Sequence, residues 1–258
     1  MTATIASAQP RTSPAAAALR SVSLRGPAGR LEALVNEGMP DARFAALVCH
    51  PHPLGGGSMQ NKVVYHVMKA LNDPEWGLGW PVLRFNFRGT GLSHGVHDGQ
   101  AESADVLAAL DWLANEYRFP LVVVGFSFGA MMALSACCSP SQPPKNVRAL
   151  ALLGLPTHSA GVPGDRSSSQ GWSDGKDFTY PQLRNCTIPK LFLSGDRDEF
   201  DPDSQLAGIA ASAAKPSQLV LLPRADHFFT GQLEPMQTAL AGWLTGSLLI
   251  GNLKEQLR

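Results

Sequence analysis

Five stretches of the chain are apolar over most consecutive positions: Phe44–Cys49, Pro81–Phe87, Leu121–Val124, Lys190–Ser194 and Gln218–Leu222. They are short and rich in β-branched or large aliphatic residues. Strands of a parallel sheet carry this pattern, because helices dry them on both faces. The segments between them, Val63–Leu71, Ser103–Tyr117 and Ala130–Cys138, read as helices, as do an Ala-rich stretch after Pro202 and the apolar Leu233–Arg258. Upstream, Ser21–Leu24 and Arg30–Asn36 predict a hairpin that turns at Gly26–Gly29. Strand and helix then alternate without internal repeat, which predicts an α/β fold, a mostly parallel central sheet with helices on both faces.

Composition bounds the domain plan. At 258 residues and 44% apolar, the chain has material for one sizeable core, expected over residues 19–258. Residues 1–18 are mostly Ala, Ser, Thr and Pro and read as a disordered tail, neither signal peptide nor membrane span. Residues 157–188 make a long connection, Gly- and Ser-rich from Ala160 to Gly175, expected to be a lid or a surface insertion. Trp172 and Phe178 in it either line a pocket or cover the core.

Lys plus Arg equals Asp plus Glu at 21 each, so bulk charge steers the protein toward neither nucleic acid nor an anionic membrane. Cysteines 49, 137, 138 and 186 include a vicinal pair but no spaced framework, so reduced thiols and a cytoplasmic location are expected. Cys49 reads as packing. Leu248-Leu249-Ile250 either extends the last helix or serves a homodimer contact.

Chemistry enters at Gly125-Phe126-Ser127-Phe128-Gly129, which joins the expected strand at 121–124 to the helix at 130–138. A strand-to-helix corner that tight strains the central residue and needs glycine two positions either side, where strand and helix nearly touch. A serine held there is a nucleophile candidate, but its hydroxyl needs a base, and the base needs an orienting acid. Gly195-Asp196-Arg197-Asp198-Glu199-Phe200-Asp201-Pro202 follows a late strand, at the carboxyl edge where catalytic groups gather. Asp198 is the chosen acid, with Asp196 in reserve, and Asp201 reads as a helix N-cap. After the next strand comes His227, the candidate base. Such a base must be neutral, so activity is expected to fall on acidification.

An oxyanion needs donors as well. The strand at 44–49 runs into His50-Pro51-His52-Pro53-Leu54-Gly55-Gly56-Gly57-Ser58, with a helix expected to begin near Met59 or Gln60. Prolines 51 and 53 have no N–H, which leaves His50, His52 and Leu54. The backbone N–H groups of His52 and of Phe128 are the expected pair. His50-x-His52 also looks like a metal ligand pair, yet no third ligand follows at zinc spacing and no HExxH motif is present, so neither metal nor cofactor is expected. The glycine run lacks the Gly-Lys-Ser/Thr ending of a phosphate loop.

The run from His50 to Val64, the stretch Phe85-Asn86-Phe87-Arg88-Gly89-Thr90-Gly91-Leu92-Ser93 and the Phe-Ser-Phe elbow resemble a bacterial family of small α/β-hydrolases. The chain is similar to its carboxylesterase-like and dienelactone-hydrolase-like members from about Ser21 to about Leu248. The resemblance implies an ester or related acyl hydrolase with Ser127, Asp198 and His227 as triad, and Gly195 with Asp198 and His227-Phe228-Phe229 fit its pattern. At Asp98-Gly99-Gln100-Ala101-Glu102 the chain is shorter than the family's usual Asp-x-Gly-x-Gly-Glu. Arg88 is expected to clamp Glu102 or Asp105 structurally. The implied substrate is a small-molecule carboxylic ester with a short acyl group. Peptide, thioester or lactone hydrolysis on the same triad, and a non-catalytic binding module on the same fold, are the competing readings.

Overall fold

A computed structural model describes residues 18–74, 78–141, 143–159, 177–201 and 205–256. Eight strands form one sheet in the order β1-β2-β4-β3-β5-β6-β7-β8. Strands β1 (Leu19–Gly26) and β2 (Gly29–Asn36) make the expected hairpin, paired from Leu19 opposite Asn36 to Gly26 opposite Gly29. Gly29 closes the turn at φ 113°, which favours glycine. Strand β4 (Val82–Phe85) runs antiparallel to β2 and parallel to β3 (Ala45–Cys49). From β3 the sheet continues all-parallel through β5 (Leu121–Phe126), β6 (Val147–Leu153), β7 (Lys190–Gly195) and β8 (Ser217–Leu222). This is the mostly parallel architecture that the alternation of strand and helix predicts.

The continuous apolar runs resolve into two cores because successive strand side chains point to opposite faces. In β5, Leu121 and Val123 join one buried cluster, while Val122, Val124 and Phe126 join the other. In β3, Ala45, Leu47 and Cys49 separate from Ala46 and Val48 in the same way. The first cluster packs under α2 (Glu102–Tyr117) and α3 (Phe128–Cys137), the second under α1 (Lys62–Asn72) and α5 (Leu233–Gln256). A shorter helix, α4 (Gln205–Ser212), lies between β7 and β8. Among the described residues, no helix is long and apolar enough to cross a membrane.

The structure departs from the sequence expectations in three places. Helix α1 begins at Lys62 rather than near residue 59 or 60, because the Asn61 side chain accepts the Val63 N–H at 2.9 Å and caps the helix there. Strand β6 adds to the five expected parallel strands. The expectation of four reduced cysteines also fails: Cys138 and Cys186 form a disulfide, and only Cys49 and Cys137 are free. Folding brings the end of α3 beside residue 186, with Cα atoms 5.1 Å apart, a proximity that a separation of 48 residues does not reveal. Cys49 packs as expected. Burial raises its thiol well above the ordinary range.

Of the expected N-terminal tail, only Ala18 lies within the described residues, and its carbonyl accepts the Glu37 N–H at 2.9 Å. Residues 160–176 of the expected insertion, Trp172 included, lie outside them. The described ends of the insertion are pinned. Thr157 and His158 donate their N–H groups to the Phe200 carbonyl, and Phe178 donates to Thr157 O at 2.7 Å while packing against the first core cluster.

Candidate active site

The carboxyl ends of β3, β5, β7 and β8 deliver every candidate residue to one edge of the sheet. At the end of β5 the chain turns into α3 through Ser127, whose φ of 55° and ψ of −120° are costly for a residue with a Cβ. The flanking glycines make the turn possible. A Cβ on Gly125 would lie 2.6 Å from Ala130 N, and one on Gly129 would lie 2.6 Å from His50 O. Gly129 thus lets the first turn of α3 rest directly on the backbone that leaves β3. Ser127 N–H donates to Leu153 O at 2.9 Å, which ties the corner to β6.

The three residues chosen from the sequence meet in one line. His227 Nε2 lies 2.9 Å from Ser127 Oγ, and His227 Nδ1 lies 2.9 and 3.0 Å from the two Asp198 carboxylate oxygens. All three are nearly or fully buried. The imidazole sits among Phe126, Phe200 and Phe228, with ring centroids 5.2, 4.3 and 5.2 Å away. Gly154, at φ 51°, passes beneath it, and a Cβ there would come within 3.1 Å of His227 Cε1.

Two partners of Asp198 had not been singled out in the sequence. Ser194, at the end of β7, donates its hydroxyl to Oδ2 at 2.8 Å, and Phe200 N–H donates to Oδ1 at 2.9 Å. Burial pushes the Asp198 carboxyl upward. Its bonds to His227, Phe200 and Ser194 outweigh that and hold it below the usual range, so the anion persists. A serine one residue before Gly195-x-x-Asp198 was the available signal for Ser194. Asp196 is used elsewhere, accepting the Arg224 N–H at 2.6 Å, and Asp201 stands four residues ahead of α4 rather than at the expected N-cap position, its Oδ1 accepting the Leu206 N–H at 3.1 Å.

The loop after β3 is held at both ends. His50 is fully buried, its Nδ1 donating to Pro51 O at 2.7 Å and its Nε2 accepting the Phe87 N–H at 3.0 Å. Burial lowers this imidazole to about 4, so it is neutral and bonded to backbone through both nitrogens. At the far end, Met59 N–H donates to Asn86 Oδ1 at 2.8 Å. Of the three N–H groups considered from the sequence, that of Leu54 is committed to His52 Nδ1 at 3.2 Å. The His52 ring stands edge-on to Phe128, centroids 5.1 Å apart, so the two stretches adjoin. Below them Arg88 grips Asp105 with its backbone N–H, Nε and Nη2 at 3.1, 3.0 and 2.7 Å, the structural clamp expected for one of the two acids.

A strained serine at a strand-to-helix corner of this sheet, beside a histidine and a buried carboxylate, defines a class of protein, the α/β hydrolases. Residues 46–180 match the family model described as the alpha/beta hydrolase fold, and the chain belongs to that family. An uncharacterized protein of Rickettsia prowazekii is 32% identical over 231 residues, covering 86% of this chain and 87% of its own. Among solved structures, an alpha-beta serine hydrolase homologue from Coxiella burnetii superposes with TM-score 0.69 at 30% identity, covering 86% of this chain and 95% of that one. A serine hydrolase without lid from Xanthomonas campestris gives 0.68 at 28%, covering 88% and 94%.

Proposed function

We propose that the chain hydrolyses carboxylic esters with small or short acyl groups, using Ser127 as nucleophile, His227 as general base and acid, and Asp198 as the group that orients the imidazole. What carries this reading is the unbroken hydrogen-bonded line from Asp198 through His227 to Ser127 Oγ. His227 Nε2 takes the serine proton as Oγ bonds to the ester carbonyl carbon, and the carbonyl electron pair moves onto oxygen. The backbone N–H groups of Phe128 and His52 receive that oxyanion, aided by the positive end of α3. Collapse expels the alcohol, which leaves with the proton from His227. Water then adds to the acyl carbon, gives its proton to His227, and the serine recovers it as the acid departs.

Exposed Leu54, two residues past His52, and exposed Phe228, next to His227, give apolar surface beside these residues. That suits an uncharged ester. The test is turnover of p-nitrophenyl esters graded from acetate upward, with thioesters, lactones and a peptide amide in parallel. Acetate or butyrate should be cleaved fastest, and Ser127→Ala should cost on the order of 10⁴-fold or more. Ester turnover that survives Ser127→Ala overturns the proposal, and faster turnover of another acyl class replaces the ester.

A further inference from the structure

A second histidine packs against Phe128, the residue that follows Ser127, with a carboxylate behind it, and the proposed reaction uses neither. Glu102 opens α2 and is fully buried. Its Oε1 accepts the Asp98 N–H at 2.9 Å, while Asp98 Oδ1 accepts the N–H groups of Gln100 and Ala101 at 2.8 and 2.7 Å. These reciprocal bonds tie the loop after β4 to the start of α2. His97 lies in that loop, with Nδ1 2.7 Å from Glu102 Oε1 and a side chain 10% exposed. Its ring stands edge-on to two others, His52 at 4.8 Å and Phe128 at 5.3 Å between centroids.

The loop cannot drift. Arg88 is bound to Asp105 one turn further along α2, and Gly89, at φ 71°, lets the chain fold back so closely that a Cβ there would lie 2.9 Å from His97 N. Burial alone would raise the Glu102 carboxyl. Its contact with His97 and its backbone N–H donors hold it at about 2 instead, so it stays charged beside His97 at any ordinary pH.

We propose that His97 is a positioning residue for the oxyanion donors: Glu102 fixes its imidazole, and the imidazole holds the peptides of His52 and Phe128 in place relative to Ser127 Oγ. This rests on the serine hydrolase reading above. Donors stabilise developing charge best when they need no rearrangement, and a shift of about 1 Å at such a site costs on the order of 100-fold. A phenylalanine at position 97 would pack against Phe128 as well as histidine does. Only a polar side chain that also reaches Glu102 is held from both sides.

The experiment compares His97→Phe, which keeps the ring and loses the polar contact with Glu102, with His97→Asn, whose amide nitrogen reaches nearly as far as Nδ1. With p-nitrophenyl acetate, His97→Phe should lower kcat about 10- to 100-fold with KM within about twofold, and His97→Asn should recover most of the loss. Backbone amide signals of His52 and Phe128 in 1H–15N spectra should move in His97→Phe and return toward wild type in His97→Asn. Wild-type kcat and unmoved amides in His97→Phe, or a loss confined to KM, overturn the proposal. If the wild type cleaves no ester while both amides respond to His97→Phe, the coupling stands and the hydrolase reading falls.

Discussion

Replacing Gly129 with alanine isolates one contact on which the proposed site depends. The new Cβ would lie 2.6 Å from both the Cys49 carbonyl carbon and His50 O, and closer still to the Cys49 carbonyl oxygen, while ordinary contact begins near 3.4 Å, so the two backbones must separate by roughly 1 Å. All three atoms belong to backbone and none can swing aside. Position 129 lies in the first turn of α3, where alanine is favoured over glycine by about 1 kcal/mol, so any loss is steric. Overpacking of this kind costs about 1–3 kcal/mol. In a domain of this size that lowers Tm by roughly 2–12 °C. The same separation carries the His52 loop away from Ser127, and kcat for a short p-nitrophenyl ester should fall about 100-fold with KM little changed. Calorimetry and steady-state kinetics on the one variant read both effects. Full activity with unchanged Tm in Gly129→Ala would refute the claim that the corner is built on direct backbone contact.

Asp105→Ala removes three hydrogen bonds from Arg88 and leaves a cation in the fold without its partner, which should cost about 3–5 kcal/mol, read as a Tm lower by roughly 6–20 °C. Ser194→Ala leaves Asp198 with His227 and Phe200 as donors, so kcat/KM should fall only about three- to tenfold, measured at neutral pH on the same ester. Glu102 titrates lower in the fold than its ordinary 4.5, at about 2, so the stability it contributes is fully present above pH 4.5 and is lost as pH falls toward 2. A Tm profile against pH should therefore be flatter over that window in Glu102→Gln than in the wild type.

Much of this arrangement was legible in the chain because the signals were local. Runs such as Leu121–Val124 announce a doubly covered strand, and Gly125 and Gly129 around Ser127 announce a turn that only glycine allows. Chain order then set Asp198 and His227 after successive strands, and the same edge of the sheet gathers them. Contacts made across distance were not legible. The Cys138–Cys186 disulfide joins segments with no shared pattern, and Ser194 reads as an ordinary strand residue until Asp198 folds back onto it. His97 looks like a surface loop histidine, and its place against Phe128 depends on how the loop after β4 closes over α2. Strand β6 is as apolar as its neighbours, but no chemistry-bearing motif marks its end.

An activated serine can be read directly by incubating the folded protein with a fluorophosphonate probe and mapping the modified peptide, beside a Ser127→Ala variant of unchanged Tm. Modification of the peptide containing Ser127, absent from the variant, is the predicted result. A folded wild type that takes up no label, or takes it up at another residue, would contradict the assignment of Ser127 as the nucleophile.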